Sequence, residues 1–238
     1  MKITRLALSI ASGGERSNLP LGLFMVADGM GGHQYGELAS AIAVRSIAGF
    51  ILKKLHPYLL DPTYSLDEPL QEIMRASIAE AQRNVLQNAP GSGTTITAAL
   101  VFGQQVTIGH VGDSRAYAFH EDGRVELLTR DHSLVKRLEE LGQISSEEAL
   151  NHPQRNVLYR ALGQGETLEA DVFTMPFPKG YLVLCSDGLW GVVPEDKMFD
   201  IAYTAPDLYQ AAQRLVQTAN DAGGPDNISV ILVRLLDG

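Results

Sequence analysis

The chain has 238 residues, 45% of them apolar, which suits one ample domain with a sizeable core. Its 28 acidic and 19 basic residues leave a formal charge of −9, which argues against a surface that neutralises nucleic-acid phosphates or anionic lipid and points to proteins or small molecules as partners. The single cysteine, Cys185, rules out an intrachain disulfide and, inside an apolar run, reads as a small buried hydrophobe. No apolar stretch reaches the ~18 residues of a membrane span, and the start, MKITRLALSIASGG, has too short an apolar stretch for a secretion signal, so a cytoplasmic protein is expected.

In chain order, LFMVADG is an apolar, strand-like run ending at Asp28. The following segment places Leu38, Ile42, Ile47, Ile51 and Leu55 near one helical stripe. A second helix is expected from Asp67 as N-cap, with Pro69 in its first turn and Leu70, Ile73, Met74, Ile78, Ala81 and Val85 at spacings of three and four, ending near Pro90 and Gly91. From Thr94 to Leu128, short β-rich runs joined by GQ, GD and EDG turns read as an antiparallel meander. Residues 132–165 carry many charges and a Ser145-to-Glu148 capping box, so a helical surface flap is expected there. LEADVFTMPF and GYLVLCS read as a hairpin through Pro178 to Gly180, and Pro194 to Ala202 as a short helix. Asp207 caps a last helix stopped by Gly223 and Gly224, and ISVILVRLL closes the chain as a strand. Helices at both ends of a β-rich middle, without a βαβ rhythm, suggest antiparallel sheets covered by helices.

Four aspartates mark the limits of these apolar runs: Asp28, Asp113 after VTIGHVG, Asp187 after YLVLCS, and Asp226 ahead of ISVILV. An Asp before Gly or Asn is also a common way out of a strand through a tight turn, so each alone is a weak signal. Together, with small residues on both sides, they match what a hard-cation site requires, because Mg²⁺ and Mn²⁺ prefer oxygen ligands.

Read in order, VADGMGGH (26–33), SGTT (92–95), VGDSR (111–115), LCSDGLWG (184–191) and GGPDNIS (223–229) resemble the bacterial branch of the PPM-type, or type 2C, metal-dependent protein serine/threonine phosphatases, with DHSLV (131–135) and ALG (161–163) flanking the flap. The resemblance implies an α+β fold, a four-layer α-β-β-α sandwich of two antiparallel sheets flanked by helices, forming one domain over residues 1–238. It implies hydrolysis of phosphoserine and phosphothreonine in proteins by a metal-activated water, with two to three Mn²⁺ or Mg²⁺ ions in the family and at least one here. By similarity, Asp28 bridges two ions and is the catalytic residue, Gly29 offers its carbonyl to the second, Asp187 and Asp226 complete the first, and Asp113 with Asp187 holds a third. Phosphoproteins modified by a serine/threonine kinase are the implied partners, and the substrate-binding residues stay unassigned.

One departure from the family pattern is visible. Met1 to Thr4, MKIT, stands where the family carries an arginine and an Asn-Glu-Asp-like element, which suggests a truncated start and weaker binding of the second ion and of phosphate. A second reading therefore stays open, a phosphatase-like module that acts by binding a partner. His33, at the close of the Gly-rich loop, is a candidate general acid or a loop hydrogen-bonding residue. Arg115 reads as an ion-pair residue, His132 as an ion-pair or turn residue, Trp190 as a packing anchor whose N–H reaches a backbone oxygen, Thr94 and Thr95 as strand openers, and Asn227 as a support for Asp226.

Overall fold

Successive side chains of a strand point to opposite faces, and in this chain both faces of the central strands are apolar, so each strand serves two layers. The computed structural model describes residues 21–31, 33–60, 66, 68–150 and 152–235. Its elements are β1 (Leu21–Val26), β2 (Gly29–Met30), α1 (His33–Leu60), α2 (Leu70–Asn88), β3 (Gly93–Thr94), β4 (Ile96–Phe102), β5 (Gln105–Val111), β6 (Arg115–His120) and β7 (Val125–Leu127). They continue with α3 (Leu134–Glu140), α4 (Ser146–Leu150), β8 (Asp171–Pro176), β9 (Gly180–Cys185), α5 (Asp187–Trp190), α6 (Glu195–Thr204), α7 (Leu208–Asp221) and β10 (Val230–Val233).

Among the described residues two antiparallel four-stranded sheets form, ordered β1-β4-β5-β8 and β10-β9-β6-β7, and β2 pairs with β3 as a small third ladder. On β4, Ile96, Ala98 and Leu100 pack with α1 and α2, whereas Ala99 and Val101 face the other sheet. On β9, Leu182 and Leu184 fill the space between the sheets, while Tyr181, Val183 and Cys185 pack against α6 and α7. The result is the expected α+β sandwich of four layers, with one apolar core between the sheets and one under each helical layer.

Three expectations are corrected. The run from Thr94 to Leu128 is not one meander: β4–β5 and β6–β7 are hairpins of different sheets, and the chain crosses between them at Gly112, whose φ is 109°. β8 and β9 are not a hairpin either, because β8 pairs with β5 and β9 with β6 and β10. Gly180 makes this crossing with φ 137°, where a Cβ would stand 2.1 Å from the Phe119 carbonyl oxygen. Leu38 is 43% exposed, and Ala39 and Ala43 take the buried face ahead of Ile47, Ile51 and Leu55. Small residues are needed there because the start of α1 lies against β2: a Cβ on Gly29 would stand 2.1 Å from the Gly36 oxygen.

The end signals act where they were read. Asp207 accepts from Gln210 N–H at 2.7 Å, and Ser145 and Glu148 exchange backbone and side-chain bonds at 2.8 and 3.2 Å. Helix α2 begins at Leu70 with Pro69 in the cap position, and the expected cap Asp67 lies outside the described residues, as do the stretch before Leu21 and the MKIT segment.

Filling between the sheets makes Leu182 a test of this layering. Leu182→Ala should lower the unfolding free energy by about 2–5 kcal/mol, and Leu127→Ala, on the half-open strand β7, by under about 1 kcal/mol. Equal losses in urea titrations would show that the inter-sheet layer is misassigned.

Candidate metal centre

Strand register brings all four aspartates to one edge of the sandwich. Val26 at the end of β1 pairs with Thr97, and Ile96 pairs with Val111 at the end of β5. In the other sheet Cys185, ending β9, pairs with both Arg115 and Val230. Asp28, Asp113 and Asp187 each follow such a strand end by two residues, and Asp226 precedes β10 by four.

Their chemistry reflects that convergence. Asp28 is pushed up to about 8, first by burial and then by the charge of neighbouring Asp187, with Asp226 and Asp113 adding to the effect. Asp113 is raised to about 7 by burial, then by Asp187 and Asp131, and Asp187 is raised by burial and by Asp226. Asp187 Oδ1 is buried without a hydrogen-bond partner among the described residues. Among the described residues no three Asp, Glu, His or Cys side chains close on a single point, so the four share a field and not a finished ligand shell. Both the field and the orphaned oxygen follow from the positions of carboxylates on fixed strand ends. An oxygen-only donor set with one buried, unpartnered oxygen fits a hard divalent cation.

Each aspartate is held by its backbone. Asp28 N–H donates to Thr95 Oγ1 at 3.0 Å, and the Asp28 carbonyl accepts from Thr94 Oγ1 at 3.0 Å and Thr95 N–H at 2.8 Å. Thr95 Oγ1 also meets Ser114 Oγ at 2.7 Å, and Thr97 Oγ1 donates to the Ser114 carbonyl at 2.7 Å, so hydroxyls at the β3–β4 junction tie the Asp28 and Asp113 loops together. Reading Thr94 and Thr95 as strand openers missed this second duty; three threonines in SGTTIT are the signal that could have shown it.

The Asp113 carbonyl accepts from Trp190 Nε1 at 3.0 Å, which links it to the short helix that opens with Asp187. The Trp190 ring is in turn covered by the Arg115 guanidinium at 3.6 Å. Arg115 donates to both oxygens of Asp131, at 3.0 and 2.8 Å, as the ion-pair reading expected. On the far side Gly188 closes on the 226–227 loop: a Cβ there would stand 2.3 Å from Asn227 O. Asn227 N–H holds exposed Asp226 at 2.7 Å, and its side-chain amide reaches the same oxygen at 3.4 Å. Gly29 is exposed, and the side chain of His33 lies outside the described residues.

A profile for the protein phosphatase 2C family matches residues 15–232. The serine/threonine phosphatase Stp of Listeria welshimeri is 40% identical over 221 residues, which cover 92% of this chain and 86% of that protein. A Streptococcus agalactiae serine/threonine phosphatase structure superposes with a TM-score of 0.79 at 32% identity, covering 95% of this chain and 96% of its own. The catalytic domain of serine/threonine protein phosphatase PstP, solved with two manganese ions, gives 0.73 at 28% identity and 95% coverage of each chain. An antiparallel sandwich with acidic loops at one edge defines the class, a metal-centred hydrolase fold. The chain belongs to the protein phosphatase 2C family.

Raised carboxyls make stability depend on pH with a definite sign. A carboxyl whose folded pKa lies above its ordinary 3.8 binds a proton on folding, so stability falls as pH rises towards about 8. Above the ordinary histidine value of 6.5 the buried histidines, lowered by burial, are neutral in both states and do not offset this. In chelating buffer the unfolding free energy should therefore drop between pH 6.5 and about 8, by on the order of 1 kcal/mol per pH unit. Asp28→Asn should flatten that slope, and an unchanged slope in guanidinium titrations would contradict the raised Asp28 carboxyl.

Proposed function

We propose that this protein hydrolyses phosphoserine and phosphothreonine in proteins, using divalent cations held by Asp28, Asp187, Asp226, the Gly29 carbonyl and Asp113. The observation that carries the reading is the buried, unpartnered Asp187 oxygen beside Asp28, in a protein phosphatase 2C frame. Two Mn²⁺ or Mg²⁺ ions bound here would supply an activated water and charge to offset the phosphoryl oxygens. Asp28, whose carboxyl faces the charges of Asp187, Asp226 and Asp113, would hold the ions in its ionised form. Asp187 and Asp226 would be its partners at the first position. Asp113 and Asp187, whose loops Trp190 links, would hold the third. Gly29 carries no side chain, which lets this loop pack directly against Gly36 of α1.

The chain acts as one domain, with residues 132–165 as a flap at the edge that carries Asp113. Its substrates are phosphoproteins made by a serine/threonine kinase. Cytoplasmic placement agrees with the one cysteine, which is buried, and with the lack, among the described residues, of a helix long and apolar enough to cross a membrane. The four aspartates are all present, which favours the enzyme over a module that only binds.

Phosphate release from a phosphothreonine peptide should require Mn²⁺ and stop in chelator. Asp187→Asn should cut kcat/KM by at least about two orders of magnitude, the several kcal/mol expected when a cation loses its buried ligand. Turnover that survives either treatment would sink this assignment.

A further inference from the structure

His132 opens the flap segment yet is only 1% exposed. Its ring is engaged at both nitrogens. Nδ1 accepts from Gly112 N–H at 3.1 Å, while the His132 backbone N–H donates to the Gly112 carbonyl at 2.7 Å. An accepting Nδ1 puts the neutral ring's proton on Nε2, which donates to Asp171 Oδ2 at 3.2 Å. Arg160 Nη1, 3.3 Å from that nitrogen, is then a second donor to Asp171, bound to Oδ1 at 3.0 Å.

The two roots of the flap meet at the same residue. The His132 carbonyl accepts from Tyr159 N–H at 3.0 Å, Leu134 N–H donates to the Val157 carbonyl at 2.8 Å, and Ser133 bridges Leu158. Gly112, the residue His132 clamps, adjoins Asp113 and crosses between the sheets with φ 109°. The other grips on this turn, Trp190 on the Asp113 carbonyl, Thr97 on that of Ser114 and Thr95 on the Ser114 hydroxyl, come from the sandwich itself. His132 is the grip that comes from the flap.

We propose that His132 is a positioning residue that ties the flap to the Asp113 carboxylate through Gly112, so that a flap set by a bound phosphoprotein also sets the cation affinity at Asp113. This rests on the metal reading of Asp113. Merely filling a buried space would not require an acceptor aimed at Gly112 N–H, and it predicts nothing about cations.

Two substitutions separate the ring's nitrogens. In His132→Asn the side-chain oxygen takes the place of Nδ1 and keeps Gly112, whereas in His132→Gln the amide reaches the place of Nε2 and keeps Asp171 instead. Mn²⁺ calorimetry on the full chain, with Asp113→Asn marking the Asp113-dependent class of binding, is read beside hydrogen exchange at the Gly112 amide. His132→Gln should weaken that class about tenfold and speed the exchange, and His132→Asn should preserve both. If His132→Gln does not fold, His132→Asn still decides, because amide protection and the Asp113-dependent class must be kept or lost together. Separation of the two readouts in either variant overturns the proposal, as does an isotherm of folded His132→Gln that superposes on the unsubstituted protein. An Asp113→Asn isotherm without change would instead remove the metal reading of Asp113 and this inference with it.

Discussion

Burying several like charges at one place is the constraint to which the rest of this structure answers. Asp28, Asp113 and Asp187 are drawn partly out of water towards one another, and each raises the cost of ionising its neighbours. Flexible loops would let such carboxylates swing apart into solvent. Here they sit within two residues of strand ends fixed by antiparallel ladders; Thr94 and Thr95 grip the Asp28 backbone, Trp190 grips that of Asp113, and Thr97 holds the neighbouring Ser114 carbonyl. The repulsion is therefore retained in the fold, as a site prepared for a cation to relieve.

The two crossings between sheets explain why the edge is so well defined. A simple meander would keep β5 and β6 in one sheet and leave Asp113 at a hairpin tip. Because Gly112 turns the chain across the sandwich, Asp113 stands between the edge of one sheet and the edge of the other, within reach of Asp187 from the second sheet and linked through Thr95 and Ser114 to Asp28 from the first. Gly112 is packed so closely on Thr95 that a Cβ would stand 2.6 Å from the threonine side chain. A conformation needing positive φ and a contact needing no side chain thus select glycine twice at one position.

The elements, their caps and the four aspartates were legible in the sequence because each depends on local chemistry: period, a capping Asp207, a capping box at Ser145, an apolar run stopped by an acid. Sheet membership was not. β4, β5 and β9 are buried on both faces, so their pattern carries no mark of which sheet receives them, and adjacency in sequence does not make them partners. Leu38 was misplaced for the opposite reason: period alone cannot see that α1 comes so close to Gly29 that Ala39 and Ala43 are needed beneath it. The grips on Asp28 and Asp113 also escaped, since a threonine at a strand start looks alike whether its hydroxyl faces water or a loop brought in from 67 residues away.

Charge bookkeeping at this edge explains why the protein's own cations do not relieve the carboxylates. Arg115 is stacked on Trp190 and committed to both oxygens of Asp131, so it eases Asp113 less than burial, Asp187 and Asp131 raise it. Arg160 is committed to Asp171. The nearby imidazoles add no charge: burial lowers His110 to about 4 and also lowers His132, and their rings lie 4.9 Å apart, where two cations would repel. His110 is further fixed between Thr97 Oγ1 and the Arg130 carbonyl, each at 3.0 Å. A permanent ion pair with Asp28 or Asp187 would lower their pKa values and fill the coordination that a divalent ion needs. By committing Arg115 and Arg160 to the supporting carboxylates Asp131 and Asp171, the fold stiffens the frame and leaves Asp28, Asp113 and Asp187 electrostatically unsatisfied, which is the condition under which a small, doubly charged ion binds in preference to a proton.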